Sequence, residues 1–155
     1  MNKKKKILYI ASSGGHLEQI LCLKPLKQDY DSVLVTEKTG YNIPTWQDKV
    51  YKLPQVNRRE VLVPFKLIWI SIRSLSILLR EKPDVVITTG VLAVIPLCLL
   101  AKLSGKKLIY IESFAKVNSR TISGKLIYRF ADLFIVQWKD LLKLYPKAIY
   151  GGGIY

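Results

Sequence analysis

Five short runs of apolar, mostly β-branched residues recur along this chain, and segments with helical spacing separate them. The runs are of strand length and lack the polar alternation of a half-exposed sheet, which is typical of parallel strands covered on both faces. Successive parallel strands of this kind are joined by right-handed crossovers through helices. The sequence therefore predicts an α/β fold, a Rossmann-like doubly wound parallel sheet. Its strands are expected at residues 6–11, 32–36, 85–89, 107–111 and 133–136.

The intervening segments carry apolar residues at helical spacing. They predict helices at residues 16–26, 64–81, 91–103, 123–131 and 139–144. A short additional strand fits residues 49–53, and residues 41–46 and 55–60 are predicted to be long loops. Because the 155 residues contain no repeat and no linker-like tract, we expect a single domain, residues 1–155.

The first strand runs directly into Ser12-Ser13-Gly14-Gly15-His16, the turn that precedes the first predicted helix. The beginning of a helix presents backbone N–H groups without acceptors and the positive end of the helix dipole. Glycines let a ligand approach that backbone, so the turn predicts an anion site, typically for phosphate. The alternatives are a simple tight turn, Ser13 as a helix cap and a solvated His16 ring.

Two other predicted strands lead into candidate site residues. Thr89 and Gly90 lie at the end of the strand at 85–89, and Glu112 directly follows the strand at 107–111. Ligands of open parallel sheets bind outside the carboxyl ends of the strands, near the reversal of strand order. We therefore expect these segments to meet the first turn at one edge. There, His16 and Glu112 are candidate catalytic residues for proton transfer or hydroxyl binding. Alternatively, Glu112 pairs with a nearby Lys or Arg.

Several familiar site types are absent from the sequence. There is no Gly-x-x-x-x-Gly-Lys-Ser/Thr loop, and the first turn does not follow the Gly-x-Gly-x-x-Gly pattern. His16 is the only histidine, which leaves no basis for a Ser-His-Asp triad, and Cys22 and Cys98 lack partners at metal-ligand spacing. We predict no metal and no cofactor, and both cysteines are interpreted as core residues in a reducing compartment.

The formal charge of +14 favours an anionic partner, such as nucleic acid, an acidic membrane face or a phosphorylated substrate. Two predicted helices, at residues 64–80 and 91–103, are apolar on most faces, and the first carries spaced cations. Such helices either pack in the core or lie on a bilayer with their cations at anionic headgroups. The predicted membrane contacts are Trp69, Arg73, Leu92, Val94, Ile95 and Leu99.

The amino-terminal lysines precede an apolar run that is too short for a signal peptide. No uninterrupted apolar stretch reaches the roughly 18 residues that a spanning helix needs. We therefore expect a cytoplasmic protein.

Four motifs together resemble one known family. They are Ala-Ser-Ser-Gly-Gly-His at residues 11–16, the segment 84–90, Tyr-Ile-Glu-Ser at 110–113 and Tyr-Gly-Gly-Gly-Ile-Tyr at 150–155. Over nearly its whole length the chain resembles the anchor, or acceptor-side, subunit of two-chain UDP-sugar glycosyltransferases. The eukaryotic member serves the second N-acetylglucosamine addition in dolichol-linked oligosaccharide synthesis, and bacterial members of the PssD, EpsE and CpsF types serve capsule and exopolysaccharide assembly. The family is similar to the amino-terminal half of the GT-B glycosyltransferase that makes lipid II.

The resemblance implies a membrane-associated accessory subunit, peripheral on the inner face of the plasma membrane. It would bind a lipid-diphosphate-linked saccharide while a separate catalytic chain holds the UDP-sugar. The isolated chain is then expected to be inactive. Eukaryotic members begin with a transmembrane anchor that this sequence does not show, so attachment would depend on the interfacial helices and charge, or on the partner.

The resemblance also assigns residues. Ser13, Gly14, Gly15, His16, Thr89 and Gly90 would lie against the acceptor diphosphate, and Glu112 would sit in the cleft near the reacting sugar. The partner contact would include Gly151, Gly152, Gly153, Ile154 and Tyr155.

Two other functions compete with this hypothesis. A basic nucleic-acid-binding domain fits the charge, but the positive residues are scattered and no RNA- or DNA-binding motif occurs, so we predict no nucleic-acid partner. A stand-alone Rossmann-like enzyme acting on a small molecule is the third possibility, and nucleotide binding by the isolated chain would support it.

Overall fold

A computed structural model of the chain describes residues 4–38, 46, 49–55, 63–90 and 94–155. Its strands form one parallel sheet: β1 (Lys6–Ile10), β2 (Asp31–Glu37), β3 (Lys49–Leu53), β4 (Val85–Thr88), β5 (Lys107–Ile111), β6 (Leu133–Val136) and β7 (Ile149–Tyr150). The strand order is β3-β2-β1-β4-β5-β6-β7, so the order reverses between β1 and β4, which are neighbours. The predicted doubly wound parallel sheet is confirmed.

Helices cover both faces of the sheet. The described helices are α1 (Gly15–Leu21), α2 (Val63–Glu81), α3 (Ile95–Leu103) and α4 (Ile122–Ile127), with 3₁₀ segments at Lys24–Gln28 and Lys139–Lys143. Side chains of α2, α3 and α4 pack in one core, and those of α1 pack in the other.

Alternate side chains of β1 enter the two cores. Leu8 and Ile10 pack with α2 and α3, whereas Ile7 and Tyr9 pack with α1 and Trp46. Because side chains alternate between the two faces of a strand, a strand buried on both sides needs apolar residues at every position. The uninterrupted apolar run that predicted this strand therefore reflects its central place in the sheet.

Carboxylates fix the edge of the sheet at which the parallel strands begin, which we call the amino edge; the strands end at the carboxyl edge. Asp84 Oδ2 accepts a hydrogen bond from the Lys6 amide at 2.8 Å, and Asp132 Oδ2 accepts one from the Leu108 amide at 2.8 Å. Each bond joins the residue before one strand to the neighbouring strand. The register of the strands at this edge is therefore set by side-chain hydrogen bonds as well as by the backbone hydrogen bonds between neighbouring strands.

Several element boundaries differ from the predictions. The first helix ends at Leu21 rather than residue 26, and a 3₁₀ segment with Pro25 near its start follows, since proline lacks the N–H that a continuing helix needs. The helix predicted at 123–131 ends at Ile127, and the one at 139–144 is a 3₁₀ segment. β7 was not predicted. Residues 91–93 of the third predicted helix and most of the two predicted long loops lie outside the described residues.

Candidate functional site

The turn after β1, residues 12–16, lies at the carboxyl edge where the strand order reverses; we call it the glycine turn. Gly14 has a φ of +80°, which glycine adopts without strain. The Gly14 carbonyl accepts bonds from the Leu17 and Glu18 amides, and Gly14, at the N-cap position, has no side chain with which to cap α1. Because Gly14 and Gly15 are exposed, the turn presents open backbone at the beginning of a helix, a geometry that suits an anion.

His16 follows the two glycines and is half-buried. Burial lowers the pKa of its imidazole, although the Thr89 backbone and the nearby charge of Glu112 act in the opposite direction. The ring is therefore neutral at pH 7 and able to accept a hydrogen bond or a proton. Its Nδ1 is buried and has no hydrogen-bond partner among the described residues.

Thr89 and Gly90 lie beneath the glycine turn. Thr89 is buried and its hydroxyl donates to the His16 carbonyl at 3.0 Å. Gly90 has a φ of +106°, and a Cβ at this position would come within 2.6 Å of the Tyr110 hydroxyl. Direct diphosphate contact does not fit the Thr89 side chain, because its hydroxyl is already bonded inside the protein. Thr89 instead joins the end of β4 to α1.

The catalytic prediction for Glu112 is corrected by its environment, because this side chain is 0 % exposed. Its carboxylate accepts hydrogen bonds from the Tyr145 hydroxyl at 2.7 Å, the Thr121 hydroxyl at 2.9 Å and the Ser113 amide at 3.0 Å. A Cβ at Gly124 would collide with the carboxylate, so the network is tightly enclosed. A carboxylate without exposed surface cannot contact a substrate.

The alternative of an ion pair for Glu112 also fails, since its described partners are hydroxyls and backbone amides. Burial raises the pKa values of Tyr145 and Tyr110, with the Glu112 carboxylate adding to the effect, so both phenols stay protonated donors. We call Glu112, Tyr110, Thr121 and Tyr145 the hydroxyl network. Tyr145 lies 33 residues from Glu112 in the chain, so no local pattern could have paired them.

A second carboxylate lies at this edge, Glu37 at the end of β2, and was not predicted from the sequence. It is buried and accepts a hydrogen bond from the Ser13 hydroxyl at 3.5 Å. Burial raises the pKa of Glu37, while the hydrogen bonds from Ser13 lower it in part. Ser13 is thus held by Glu37 and does not cap α1. The available signal was an acid at the end of an apolar strand, the same signal that drew attention to Glu112.

The predicted partner-contact segment, residues 151–155, folds back along the carboxyl edge; we call it the tail. The Tyr155 hydroxyl donates to the Gly15 carbonyl at 3.3 Å, and the Ile154 amide donates to Gln137 Oε1 at 2.9 Å. The structure therefore places the tail beside the glycine turn, a juxtaposition that the sequence did not predict.

The outer surface of α2 and the neighbouring α3 forms an apolar face. Its exposed side chains are Phe65, Ile68, Trp69, Ile72, Leu75, Leu79, Leu99 and Leu103. Three predicted membrane contacts lie on or beside it, because Trp69 and Leu99 are exposed and the Arg73 guanidinium lies 5.2 Å from the Trp69 ring.

The membrane prediction is wrong for Val94 and Ile95. These side chains are 2 % and 7 % exposed and pack in the core with α2 and the sheet, so they offer no outer surface. Leu92 lies outside the described residues. Among the helices that the structure describes, none has both the length and the apolar character to cross a bilayer.

Only one of the two cysteines lies in the core. Cys98 is buried, which raises the pKa of its thiol to about 12, whereas Cys22 is exposed, contrary to the prediction. Within the described ranges, no group of three or more His, Cys, Asp and Glu side chains is arranged to hold a metal ion.

A groove of about 430 Å³ at the amino edge was not predicted from the sequence. It is lined by Lys4, Lys5, Lys6, Asp31, Arg80, Glu81, Lys82 and Asp84. Because both signs of charge line this groove, its own carboxylates compete with any external anion for the cations.

Comparison with known proteins gives a family match over most of the chain. Residues 27–154 match the family described as "Oligosaccharide biosynthesis protein Alg14 like". The UDP-N-acetylglucosamine transferase subunit alg14 of Schizosaccharomyces pombe is 32 % identical over 174 residues, covering 96 % of this chain and 83 % of that protein.

Solved structures share the fold at low sequence identity. MurG of Acinetobacter baumannii superposes with a TM-score of 0.70 at 19 % identity, over 85 % of this chain and 41 % of that chain. The UDP-N-acetylglucosamine 2-epimerase of Rickettsia bellii gives a TM-score of 0.76 at 13 % identity, over 98 % of this chain and 46 % of that chain. This chain therefore spans less than half the length of either protein. The family match and the S. pombe relative show that the chain belongs to the Alg14-like family of oligosaccharide biosynthesis proteins.

Proposed function

We propose that this protein is the acceptor-binding subunit of a two-chain glycosyltransferase that moves a sugar from a UDP-sugar to a lipid-diphosphate-linked saccharide. The observation that carries the proposal is the exposed glycine turn, with the neutral His16 ring beside it, at the point where the strand order reverses. Ligands of open parallel sheets bind at this point. The S. pombe relative is named as a subunit of UDP-N-acetylglucosamine transferase, which supports the assignment.

A second, catalytic chain would hold the UDP-sugar and form the opposite wall of the cleft. This chain matches 41 % of the MurG chain, which supports treating residues 1–155 as a single domain equivalent to the amino-terminal, acceptor half of a GT-B enzyme. The tail is the proposed contact with the catalytic chain. A donor and an acceptor react fast only when both are held in attack geometry, so this subunit is inactive without its partner.

The apolar face supports attachment to a membrane surface. Phe65, Ile68, Ile72, Leu75 and Leu79 recur at intervals of three and four residues and so form one row along α2. Such a row can enter the headgroup region while Arg and Lys side chains meet anionic lipids, in keeping with the charge of +14. We propose a peripheral position on the inner face of the plasma membrane and a role in capsule or exopolysaccharide assembly.

The proposed chemistry is a direct displacement at the anomeric carbon of the donor sugar. The acceptor hydroxyl oxygen bonds to that carbon, the bond from the carbon to the UDP oxygen breaks, and UDP leaves with the electron pair. The hydroxyl proton passes to a base. His16 is the group of this chain suited to accept it or to bind the diphosphate, while Glu112 and Thr89 hold the surrounding loops in place.

Reconstitution tests this function. Purified chain, a candidate catalytic chain from the same genome, UDP-N-acetylglucosamine and a prenyl-diphosphate-linked saccharide are mixed, and sugar transfer is measured. Transfer at low acceptor concentration should require both chains. His16→Ala should raise the acceptor KM about tenfold with little change in the UDP-sugar KM, and Gln28→Ala, at an exposed position away from the turn, should change neither. Equal turnover by the catalytic chain alone would refute the proposal.

A further inference from the structure

Two buried amide side chains, Gln19 and Gln137, connect the tail with α1, the helix that follows the glycine turn. Gln137 Nε2 donates to Gln19 Oε1 at 2.8 Å and to the Glu112 carbonyl at 2.8 Å. On its other side, Gln137 Oε1 accepts the Ile154 amide at 2.9 Å. One buried side chain therefore bonds the tail, α1 and the end of β5 at the same time.

A second, outer connection runs through Tyr155. Its hydroxyl bonds the Gly15 carbonyl, and its ring packs edge-on against Phe114 with 5.2 Å between centroids. The Phe114 amide in turn donates to Gln19 Oε1 at 3.4 Å. Both connections thus reach Gln19, so the position of the tail and the position of α1 depend on the same amide.

The docked tail still offers a surface to another chain. Tyr155 is exposed, because the tail is held through the Ile154 backbone and one edge of the Tyr155 ring, and Ile149 and Tyr150 of the adjoining β7 are also exposed. A partner can therefore bind the outer side of the tail without breaking its bonds to Gln137 and Gly15.

We propose that Gln19, Gln137 and Tyr155 are positioning residues that couple partner binding at the tail to diphosphate binding at the glycine turn. This inference rests on the proposed function and deepens it. Because Gln137 bonds the tail and α1 through one buried side chain, a tail that leaves this position also deprives Gln137 of a partner and loosens its contact with α1. The coupling requires that the chain without its partner exchanges between docked and undocked tail, with about a tenth of the molecules docked, so that a partner binding the docked form shifts the population. A partner that holds the tail in that arrangement also holds the glycine turn. By linkage, each ligand raises the affinity for the other by the same factor.

The test measures geranyl diphosphate binding to the full chain by calorimetry, with and without a saturating amount of the catalytic chain. We expect the wild-type affinity to rise about tenfold in the complex. Gln137→Leu should reduce this gain to less than twofold, while the same change at the exposed Gln28 should leave it intact. Tyr155→Phe keeps the ring and removes one hydrogen bond, so the partner should raise the diphosphate affinity of this variant about threefold instead of tenfold.

The outcomes separate this inference from the proposed function. If both ligands bind but the wild-type gain is absent, or survives in full in Gln137→Leu, the coupling is refuted and the proposed function stands. If the wild-type chain binds neither ligand, both are refuted. Should Gln137→Leu fail to fold, Tyr155→Phe decides, since its side chain is 65 % exposed and a full tenfold gain in that variant would overturn the coupling.

Discussion

Glu81 and Glu112 are buried carboxylates at opposite edges of one sheet, and the protein satisfies them by different means. At the amino edge, Glu81 pairs with Lys49 at 2.6 Å and Lys6 at 3.3 Å and accepts the Tyr51 hydroxyl. Burial alone would raise the pKa of Glu81, but these three donors outweigh it and hold the pKa at about 2. At the carboxyl edge, Glu112 is held by neutral hydroxyl and amide donors.

The difference shows how each edge serves the molecule. Ion pairs attract over a range of geometries and respond to salt and pH, so they suit an edge whose task is to keep strands together. Hydrogen bonds from hydroxyl groups are directional, and a fully bonded buried network favours one geometry. The hydroxyl network therefore suits the edge that must hold several loops at fixed positions around the glycine turn.

The largest effect is expected when the hydroxyl network loses its acceptor. Glu112→Leu leaves the buried Tyr145 hydroxyl and the Ser113 amide without their acceptor and removes one partner of the Thr121 hydroxyl, which should lower the free energy of unfolding by about 3 kcal/mol. Urea denaturation measures the loss. Glu18→Leu, at an exposed position, is the matched control and should stay within about 0.5 kcal/mol of wild type. A similar small loss for Glu112→Leu would mean that the network contributes little.

The ion pairs at the amino edge should give a smaller, pH-dependent effect. Glu81→Gln should lower the free energy of unfolding by about 2 kcal/mol at pH 7. Because the pKa of Glu81 in the folded chain, about 2, lies below its ordinary value, its contribution is complete above about pH 4.5. It is lost as the pH falls toward 2. Denaturation at pH 7 and pH 3 should show the gap between wild type and variant closing, and a constant gap would contradict this account.

His16 should matter for activity with little effect on folding. In the reconstituted enzyme, His16→Gln should lower kcat/KM for the acceptor about tenfold at pH 7. Wild-type activity should also fall as acid protonates the ring, below pH 6.5, because burial lowers the pKa of His16. The variant should lack that decline. Lys82→Gln, at the amino-edge groove, is the control that should preserve both activity and profile.

The smallest effect is expected at the exposed partner of an ion pair. The Lys49 side chain extends into solvent, so Lys49→Met should lower the free energy of unfolding by much less than Glu81→Gln does, and by less still in 1 M salt. Denaturation at two salt concentrations provides the measurement. A loss as large as that of Glu81→Gln would show that Lys49 alone, without Lys6 and Tyr51, keeps Glu81 ionised.

The sheet was predictable from local sequence because a strand that is buried on both faces is apolar at nearly every position. The apolar runs of β1 and β5 signal central strands directly, and the glycine turn follows from its position after β1. β7 consists of two exposed residues, too few for any pattern. The α1 boundary was misplaced because apolar spacing continues past Leu21 after the helix has ended.

The site was only partly predictable because its key bonds join residues far apart in the chain. Gln19 and Gln137 are separated by 118 positions, so only the folded sheet brings them together. An acid after an apolar strand correctly marked Glu112 as unusual. The same pattern fits a buried, hydrogen-bonded carboxylate as well as a catalytic one. The fold brings the hydrogen-bond donors that distinguish the two cases to Glu112, and a local sequence pattern does not show which residues they are.

The central claim is that the glycine turn, at the carboxyl edge, is where the diphosphate binds. Titration of isotope-labelled chain with geranyl diphosphate, followed by amide NMR shifts, tests this most directly. We expect saturable shifts at the Gly14, Gly15 and His16 amides. Saturable shifts confined to Lys5, Lys82 and their neighbours in the amino-edge groove, with the glycine turn unchanged, would contradict it.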